Sequence, residues 1–130
     1  MPRKESLYPQ DWLKIGEKDL KRVKQLLKLK DAEASGFYLQ QALEKLFKAF
    51  LLKKGWQLQR IHDLEPLLNE ALKHDSSLEQ YRLILQRITA YYVFERYPFA
   101  IESGLKVAEI AESLIRVKTL IVKLRSGIIK

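Results

Sequence analysis

Cysteine is absent from this chain, which excludes disulfide bonds and thiolate metal sites. Glycine occurs five times and proline four times, so neither repeats nor low-complexity linkers are indicated. Long hydrophobic runs are also missing, and the run Leu120-Ile121-Val122 is far too short to span a membrane. No signal peptide is recognisable. We therefore expect a cytoplasmic protein whose residues 1–130 form one domain, with a core at 10–124.

Basic residues outnumber acidic ones, and the excess lies in the two terminal segments. The net charge is +8 and the isoelectric point is about 9.7. Residues 1–30 carry nine Lys or Arg against four acids, and residues 104–130 carry six against two. Such a field attracts an anionic partner such as nucleic acid or nucleotide phosphate, although a lysine-rich surface also serves solubility alone.

Apolar residues recur at helical spacing in four long segments and one short one. The first helix is predicted over residues 9–29, and the second from an N-cap at Asp31 to Lys54, with Gly55 as the stop. A short helix follows Asp63. Ser76 opens a capping box for the next long helix, which ends near residues 97–98.

The final segment has the clearest apolar stripe, which Ile115 widens. No segment shows the alternation of a strand. The fold class is therefore predicted as all-α: an antiparallel up-and-down four-helix bundle with one additional short helix between the second and third long helices.

Gln41, Lys45 and Lys48 lie on one side of the second helix, within about 40° on a helical wheel. Large apolar residues occupy the opposite side and flank this line, so the helix is central or packs against a second subunit. Two interpretations stay open. The lysines can snorkel, with apolar stems on neighbours and ammonium groups in water. They can also form the cationic floor of a groove that binds phosphate or another anion.

Asp19 interrupts the apolar stripe of the first helix. An isolated buried carboxylate is very costly, so we expect it to be buried with a basic partner, either Lys45 or Arg96. A structural ion pair is favoured over a catalytic acid, because breaking such a pair destabilises the fold whatever the function.

Several chemistries have no support in the sequence. His62 and His74 lie in no cluster with metal-ligand spacing, so no metal site is expected. There is no nucleophile motif, no phosphate-binding glycine loop and no dinucleotide fingerprint, so no resident cofactor is expected. His62 could be a general base or a phosphate contact, or it could brace the loop ahead of Asp63.

Taken together, the motifs resemble the HEPN family, small helical domains named for nucleotide binding in higher eukaryotes and prokaryotes. The matching elements, in order, are Trp12 and Asp19-Leu20; Gln40-Gln41-Ala42-x-Glu44-Lys45-x-x-Lys48-Ala49; Gly55; His62-Asp63-Leu64 with Leu67-Leu68; Arg96-Tyr97-Pro98; and an Ala-rich last helix. The resemblance implies a helical bundle, usually a homodimer, that binds nucleotides or RNA. The prokaryotic stand-alone type accompanies a minimal nucleotidyltransferase, sometimes as a toxin–antitoxin pair.

The helical domain that completes the active site of aminoglycoside nucleotidyltransferases is also similar, and by that analogy six residues are candidate ligand contacts: Gln41, Lys45, Lys48, His62, Arg96 and Tyr97. Ribonucleases of the family carry an Arg followed after four to six residues by His. No His follows Arg96 at that spacing. The missing motif argues against a catalytic site in this chain.

Three hypotheses remain. The leading one is a non-catalytic nucleotide-binding module that positions substrate for a minimal nucleotidyltransferase on another chain. The first alternative is an RNA-binding or RNA-cleaving toxin that uses the basic terminal helices. The second is a structural homodimer or interaction protein, in which Gln41, Lys45 and Asp19 form only a buried network.

Overall fold

The structure is a computed structural model that describes residues 5–96 and 104–129, without the side chains of residues 93–96. Its helices are α1 (Pro9–Lys28), α2 (Ala32–Lys53), α3 (Leu64–Leu72), a 3₁₀ helix (Ser76–Tyr81), α4 (Arg82–Arg96), α5 (Val107–Arg116) and α6 (Lys118–Ile129). No strand occurs in these residues, and the predicted all-helical bundle with an extra short helix is confirmed. Among the helices described, none is both long and apolar enough to cross a membrane.

The helices alternate in direction around α2. Gly16 of α1 lies beside Leu46 and Arg22 lies over Tyr38, so α1 runs antiparallel to α2. Gly36 lies beside Tyr91, whereas the segment bonded to Gln40 meets α4 earlier, at Thr89, so α4 also runs antiparallel to α2. Near the other end of α2, Phe50 meets Gly127 of α6. The helix α2 contributes many fully buried apolar side chains: Leu39, Ala42, Leu43, Leu46, Phe47, Ala49 and Leu51. It is the central helix, as its sequence predicts.

The ends of α2 follow the predicted capping. The Asp31 side chain accepts a hydrogen bond from the Ala34 backbone N–H at 3.1 Å. At the other end Gly55 has a φ of +90°, and the Trp56 N–H reaches back to the Leu51 carbonyl at 2.9 Å. This Schellman arrangement satisfies the last carbonyls of α2 and turns the chain toward His62.

Three local predictions are wrong. Asp75, not Ser76, caps the segment before α4, and that segment is a 3₁₀ helix rather than the first turn of an α-helix. The last long helix is interrupted at Val117 and forms α5 and α6. Ile115 is 65% exposed, because the buried face instead includes Ser113, whose hydroxyl lies 2.9 Å from the Tyr91 hydroxyl.

Candidate functional site

A row of polar side chains is buried along one face of α2. Gln40, Glu44 and Lys48 follow one another at four-residue spacing, so they stack on successive turns of the helix. Their exposed fractions are 1%, 2% and 1%. Polar groups at this depth need partners, because burying them unpaired costs several kcal/mol. The adjacent row, with Gln41 and Lys45, lies nearer the surface.

Hydrogen bonds join the two rows to the loop that follows α2. Gln40 Nε2 donates to the backbone carbonyl of His62 at 2.7 Å. Gln41 Nε2 donates to Gln40 Oε1 at 2.7 Å, and Lys45 Nζ donates to Gln41 Oε1 at 2.9 Å. The chain of amides therefore fixes both the loop position of His62 and the direction of Lys45.

Glu44 is the point where the basic groups of the site converge. Its Oε2 atom accepts from Lys48 Nζ at 3.1 Å and Lys45 Nζ at 3.4 Å, and lies 3.4 Å from His62 Nδ1. Among the residues that the structure describes, its other oxygen, Oε1, is buried and has no hydrogen-bond partner. One carboxylate is thus shared among several basic groups, which orients the His62 ring and leaves one buried acceptor atom open.

Lys48 does not reach solvent. Its ammonium group lies 5.1 Å from the centre of the Trp12 ring, a cation–π contact across the α1–α2 interface. The snorkelling interpretation is therefore wrong for Lys48, whose charge is compensated inside the protein by Glu44 and Trp12. In this arrangement Lys48 holds Glu44 in position from the protein interior and is not itself accessible to a ligand.

The accessible edge of the site consists of Lys45 and His62. The Lys45 side chain is 16% exposed and that of His62 is 58% exposed. Because Glu44 carries one negative charge and two lysines share it, the cluster keeps one net positive charge even with a neutral His62. The edge can therefore attract an anion and donate hydrogen bonds to it.

Asp19 is buried, as predicted, with 4% exposure. The prediction of Lys45 as its partner is wrong, because Asp19 Oδ1 accepts from Arg22 Nη1 at 2.5 Å, one turn further along α1. The side chain of Arg96, the other predicted partner, lies outside the described residues. The Arg22 guanidinium also lies 5.3 Å from the Tyr38 ring centre on α2. Arg22 lies three residues after Asp19, a spacing at which side chains of a helix meet, so this partner could have been predicted from the sequence. The long Arg22 side chain reaches the buried carboxylate from the edge of the helix.

The remaining two candidates are Arg96 and Tyr97. Tyr97 and the Arg96 side chain lie outside the described part of the molecule, although Arg96 is the last residue of α4. Since Tyr91 lies beside Gly36 and α4 runs antiparallel to α2, helical rise places Arg96 about 20 Å along the bundle axis from Lys45. The structure thus unites Gln41, Lys45, Lys48 and His62, and adds Gln40 and Glu44.

No role is assigned to Gln40 and Glu44 in the sequence interpretation, although their spacing indicated one. Gln40, Glu44 and Lys48 follow one another at four-residue spacing, and polar side chains at i and i+4 meet on a helix surface. Their spacing puts them on successive turns of α2, but only the tertiary approach of His62 and Trp12 shows what this row binds.

A polar cleft begins at the residue after His62. It has a volume of about 340 Å³ between α3 and α4 and is lined by Asp63, Glu65, Pro66, Asn69, Gln86 and Thr89. Thr89 Oγ1 accepts from the Leu64 backbone N–H at 3.3 Å, which ties the start of α3 to α4. In the segments that the structure describes, no three His, Asp or Glu side chains are grouped as metal ligands.

Comparison with known proteins gives one match. The family model described as the HEPN domain matches residues 9–127, which is nearly the whole chain. The match confirms the resemblance inferred from the motifs and supports a helical module whose function concerns nucleotides or RNA. Curated proteins and solved structures gave no significant match.

Proposed function

Because the chain belongs to the HEPN domain family, we propose that it is a nucleotide-binding module that positions substrate for a minimal nucleotidyltransferase on another chain. The observation that carries this proposal is the Lys45–His62 edge, held in place by buried Glu44, Lys48 and Gln40. Its net positive charge suits a phosphate group, and its rigid support lowers the entropic cost of binding.

The phosphates of the nucleotide contact Lys45 Nζ and the exposed His62 ring in this proposal. The sugar and base then extend into the polar cleft between α3 and α4, where Asn69, Gln86 and Thr89 offer hydrogen-bonding groups. The cleft volume of about 340 Å³ lies within the usual range for small-molecule sites. No catalytic residue is assigned to this chain, so the transfer chemistry belongs to its partner.

Calorimetric titration with nucleoside triphosphates tests the proposal. Lys45→Ala removes a charged hydrogen-bond donor, so we expect binding about tenfold to a hundredfold weaker, and a smaller loss for His62→Ala. Lys53→Ala is the matched control, because Lys53 is an exposed lysine on the same helix. Absence of binding to the unmodified protein, or equal binding by Lys45→Ala, would contradict the proposal.

Arg96 and Tyr97 remain predicted ligand contacts. Since Arg96 is about 20 Å along the axis from Lys45, it can share a ligand with Lys45 only if the ligand is extended. We expect Arg96→Ala to change mononucleotide affinity less than twofold and to weaken binding of a short oligonucleotide about tenfold. If Arg96→Ala weakens mononucleotide binding as much as Lys45→Ala does, Arg96 and Lys45 contact the same mononucleotide.

RNA binding is the second candidate function, and the exposed side of α1 favours it. A shallow cavity there is lined by Lys14, Lys18 and Lys21 together with Gln10, Asp11, Leu13 and Glu17, so basic residues outnumber acidic ones by one. Affinity for RNA through this surface falls steeply with salt concentration, because binding releases counterions. Replacing Lys14, Lys18 and Lys21 by Gln should reduce the salt slope by about three, whereas Lys45→Ala should not.

The partners of the chain belong to the same proposal. Members of the family often dimerise, and we propose that this chain forms a homodimer. We further propose that the homodimer binds a nucleotidyltransferase. Where the genes of the two proteins are adjacent, the complex is a toxin–antitoxin pair. Light scattering of the chain alone and after co-expression with the neighbouring gene product separates monomer, homodimer and mixed complex. If the chain stays monomeric alone and forms no complex with any co-expressed nucleotidyltransferase, the proposed homodimer and the proposed complex are both contradicted.

A further inference from the structure

A groove with an apolar floor lies between α1 and the C-terminal helices, on a different face from Lys45 and His62. Its volume is about 400 Å³. Leu20, Leu114 and Ile121 form the floor, and Val122, which is 61% exposed, forms one edge. We call this feature the α1–α6 groove. An apolar depression that remains open on a folded surface commonly marks an interaction site.

Basic side chains surround this apolar floor. Lys24, Lys118 and Arg125 all line the α1–α6 groove. Arg125 is bound to Glu17 of α1 through two hydrogen bonds of 2.5 Å, so its charge is already compensated. Within the described parts of the chain, neither Lys24 nor Lys118 forms an ion pair. The groove therefore presents apolar surface together with two uncompensated positive charges.

Exposed apolar residues continue beyond the edge of the groove. Ile115, Val122 and Ile129 recur at seven-residue spacing along α5 and α6, and their exposed fractions are 65%, 61% and 72%. Ile115 precedes the break at Val117, whereas Val122 and Ile129 are close to two helical turns apart and therefore lie on one side of α6. A single exposed Ile or Val is ordinary, but Val122 and Ile129 on the same side of α6 extend the apolar contact surface beyond the edge of the groove.

We propose that the α1–α6 groove binds an amphipathic helix with acidic residues, contributed by a partner protein. Leucine or isoleucine side chains at i, i+3, i+4 and i+7 of that helix contact the floor at Leu20 and Ile121 and the edge at Val122. Its carboxylates pair with Lys24 and Lys118. This inference does not depend on nucleotide binding, because none of these residues belongs to the Lys45–His62 edge.

A second copy of the chain is a poorer occupant. In a two-fold dimer the same patch meets itself, which brings Lys24 and Lys118 of one copy toward the same lysines of the other. Like charges facing each other across an interface cost several kcal/mol, and the net charge of +8 adds to the repulsion. Charge complementarity therefore favours an acidic partner over self-association at this face.

A designed peptide tests the proposal directly. The probe is a fluorescent peptide of about 18 residues, with Leu at i, i+3, i+4 and i+7 and Glu at most other positions. Its comparison is a scrambled peptide of the same composition, which keeps the charge and loses the apolar face. Fluorescence anisotropy at physiological salt should show the amphipathic peptide binding about tenfold more tightly.

Variants localise the binding. Val122→Glu removes exposed apolar surface and adds a repelling charge, and Lys118→Glu reverses one of the uncompensated charges, so each should weaken binding at least about fivefold. Leu83→Glu, at a residue of α4 that is 78% exposed, and Lys53→Glu are the matched controls and should change affinity less than about twofold. Circular dichroism and urea midpoints verify that all four variants are folded.

Three results would overturn the inference. Equal binding of the scrambled peptide would show that charge alone attracts the probe. An equal loss of affinity in Leu83→Glu would place the peptide elsewhere on the molecule. A homodimer in light scattering that Val122→Glu converts to a monomer would assign the α1–α6 groove to a second copy of the chain.

Discussion

Glu44 shows how one buried carboxylate can organise a surface site. Its oxygen holds Lys48 at 3.1 Å and lies 3.4 Å from both Lys45 Nζ and His62 Nδ1. Without this carboxylate the buried ammonium group of Lys48 would keep its contact with the Trp12 ring but would have no counter-charge among the described residues. The Glu44 carboxylate therefore has two roles: it positions Lys45 and His62, and it compensates the buried charge of Lys48.

Removing the charge of Glu44 should destabilise the protein strongly. Glu44→Gln leaves Lys48 buried without a counter-charge, so we expect the free energy of unfolding to fall by about 3 kcal/mol. The double variant Glu44→Gln with Lys48→Met removes both buried charges while keeping the lysine stem's volume, and should recover most of that loss. Urea unfolding followed by circular dichroism measures both. A double variant less stable than Glu44→Gln alone would show that Lys48 does not depend on Glu44.

At the scale of helices, α1 and α2 end in the same way with different residues. Each has a residue with positive φ just after its C-cap: Lys30 at 59° and Gly55 at 90°. The following N–H groups, those of Asp31 and Trp56, bond to carbonyls five residues back at 3.0 and 2.9 Å. Glycine adopts this conformation at no steric cost, whereas an L side chain is strained there by about 1–2 kcal/mol.

The two helix ends therefore predict substitutions of opposite sign. Lys30→Gly relieves the strain but gives the unfolded chain more freedom, so we expect a net gain in stability of about 0.5–1 kcal/mol. Gly55→Ala introduces the strain and should lose a similar amount. Urea midpoints at equal denaturant slope provide the comparison. If Lys30→Gly destabilises the protein, the Lys30 side chain contributes a contact that outweighs its backbone strain.

The junction of α3 with α4 is held by Arg82. Its guanidinium donates to Glu65 at 2.7 Å, to Asn69 at 2.8 Å and to Glu79 at 2.8 Å. The Arg82 and Gln86 hydrogen bonds lower the pKa of the Glu65 carboxyl below its ordinary value of 4.5. Hydrogen bonds to Glu65 and Glu79 raise the pKa of Arg82. This exposed cluster positions the two helices that form the polar cleft.

A pH dependence follows from the lowered pKa of Glu65. A carboxyl whose pKa is lower in the folded state stabilises the fold above its unfolded value and loses that contribution as the pH falls through the folded value. Glu65→Gln should therefore lower the urea midpoint at pH 7 and should differ little from the unmodified protein well below pH 4.5. A constant difference at both pH values would assign the effect to packing instead of charge.

For the whole molecule, helical periodicity was sufficient to predict the bundle and its central helix. Apolar spacing predicted α1 over 9–29 and α2 over 32–54, and both lie within one residue of those limits at each end. The break at Val117 was not predictable in this way, because the buried Ser113 and exposed Ile115 reflect tertiary packing against Tyr91 rather than local preference.

The site shows the same division between local and tertiary information. Gln41 and Lys45 are neighbours on one helix, so their hydrogen bond could be anticipated from spacing alone. The burial of Lys48 depends on Trp12, which is 36 positions away, and the orientation of His62 depends on a loop that ends beside Glu44. Spacing cannot specify such contacts, since the helix packing that creates them is absent from a helical wheel.

The closure of the bundle rests on the contact between Gly127 of α6 and Phe50 of α2. A Cβ added at Gly127 would lie 2.5 Å from a ring atom of Phe50. That ring is buried, with Lys54 at 5.4 Å from its centre and the His74 ring at 6.2 Å. A methyl group at position 127 therefore requires either the Phe50 ring or α6 to shift.

Gly127→Ala consequently tests whether packing outweighs helix propensity. Alanine favours a helix over glycine by about 1 kcal/mol, whereas overpacking a core contact costs about 1–3 kcal/mol. We expect a net decrease in the free energy of unfolding, measured in urea. Ser126→Ala, at the exposed neighbouring position, should be neutral or slightly stabilising. Combining Gly127→Ala with Phe50→Leu should make the alanine less harmful than it is alone, and strict additivity of the two changes would show that the bundle closes without this contact.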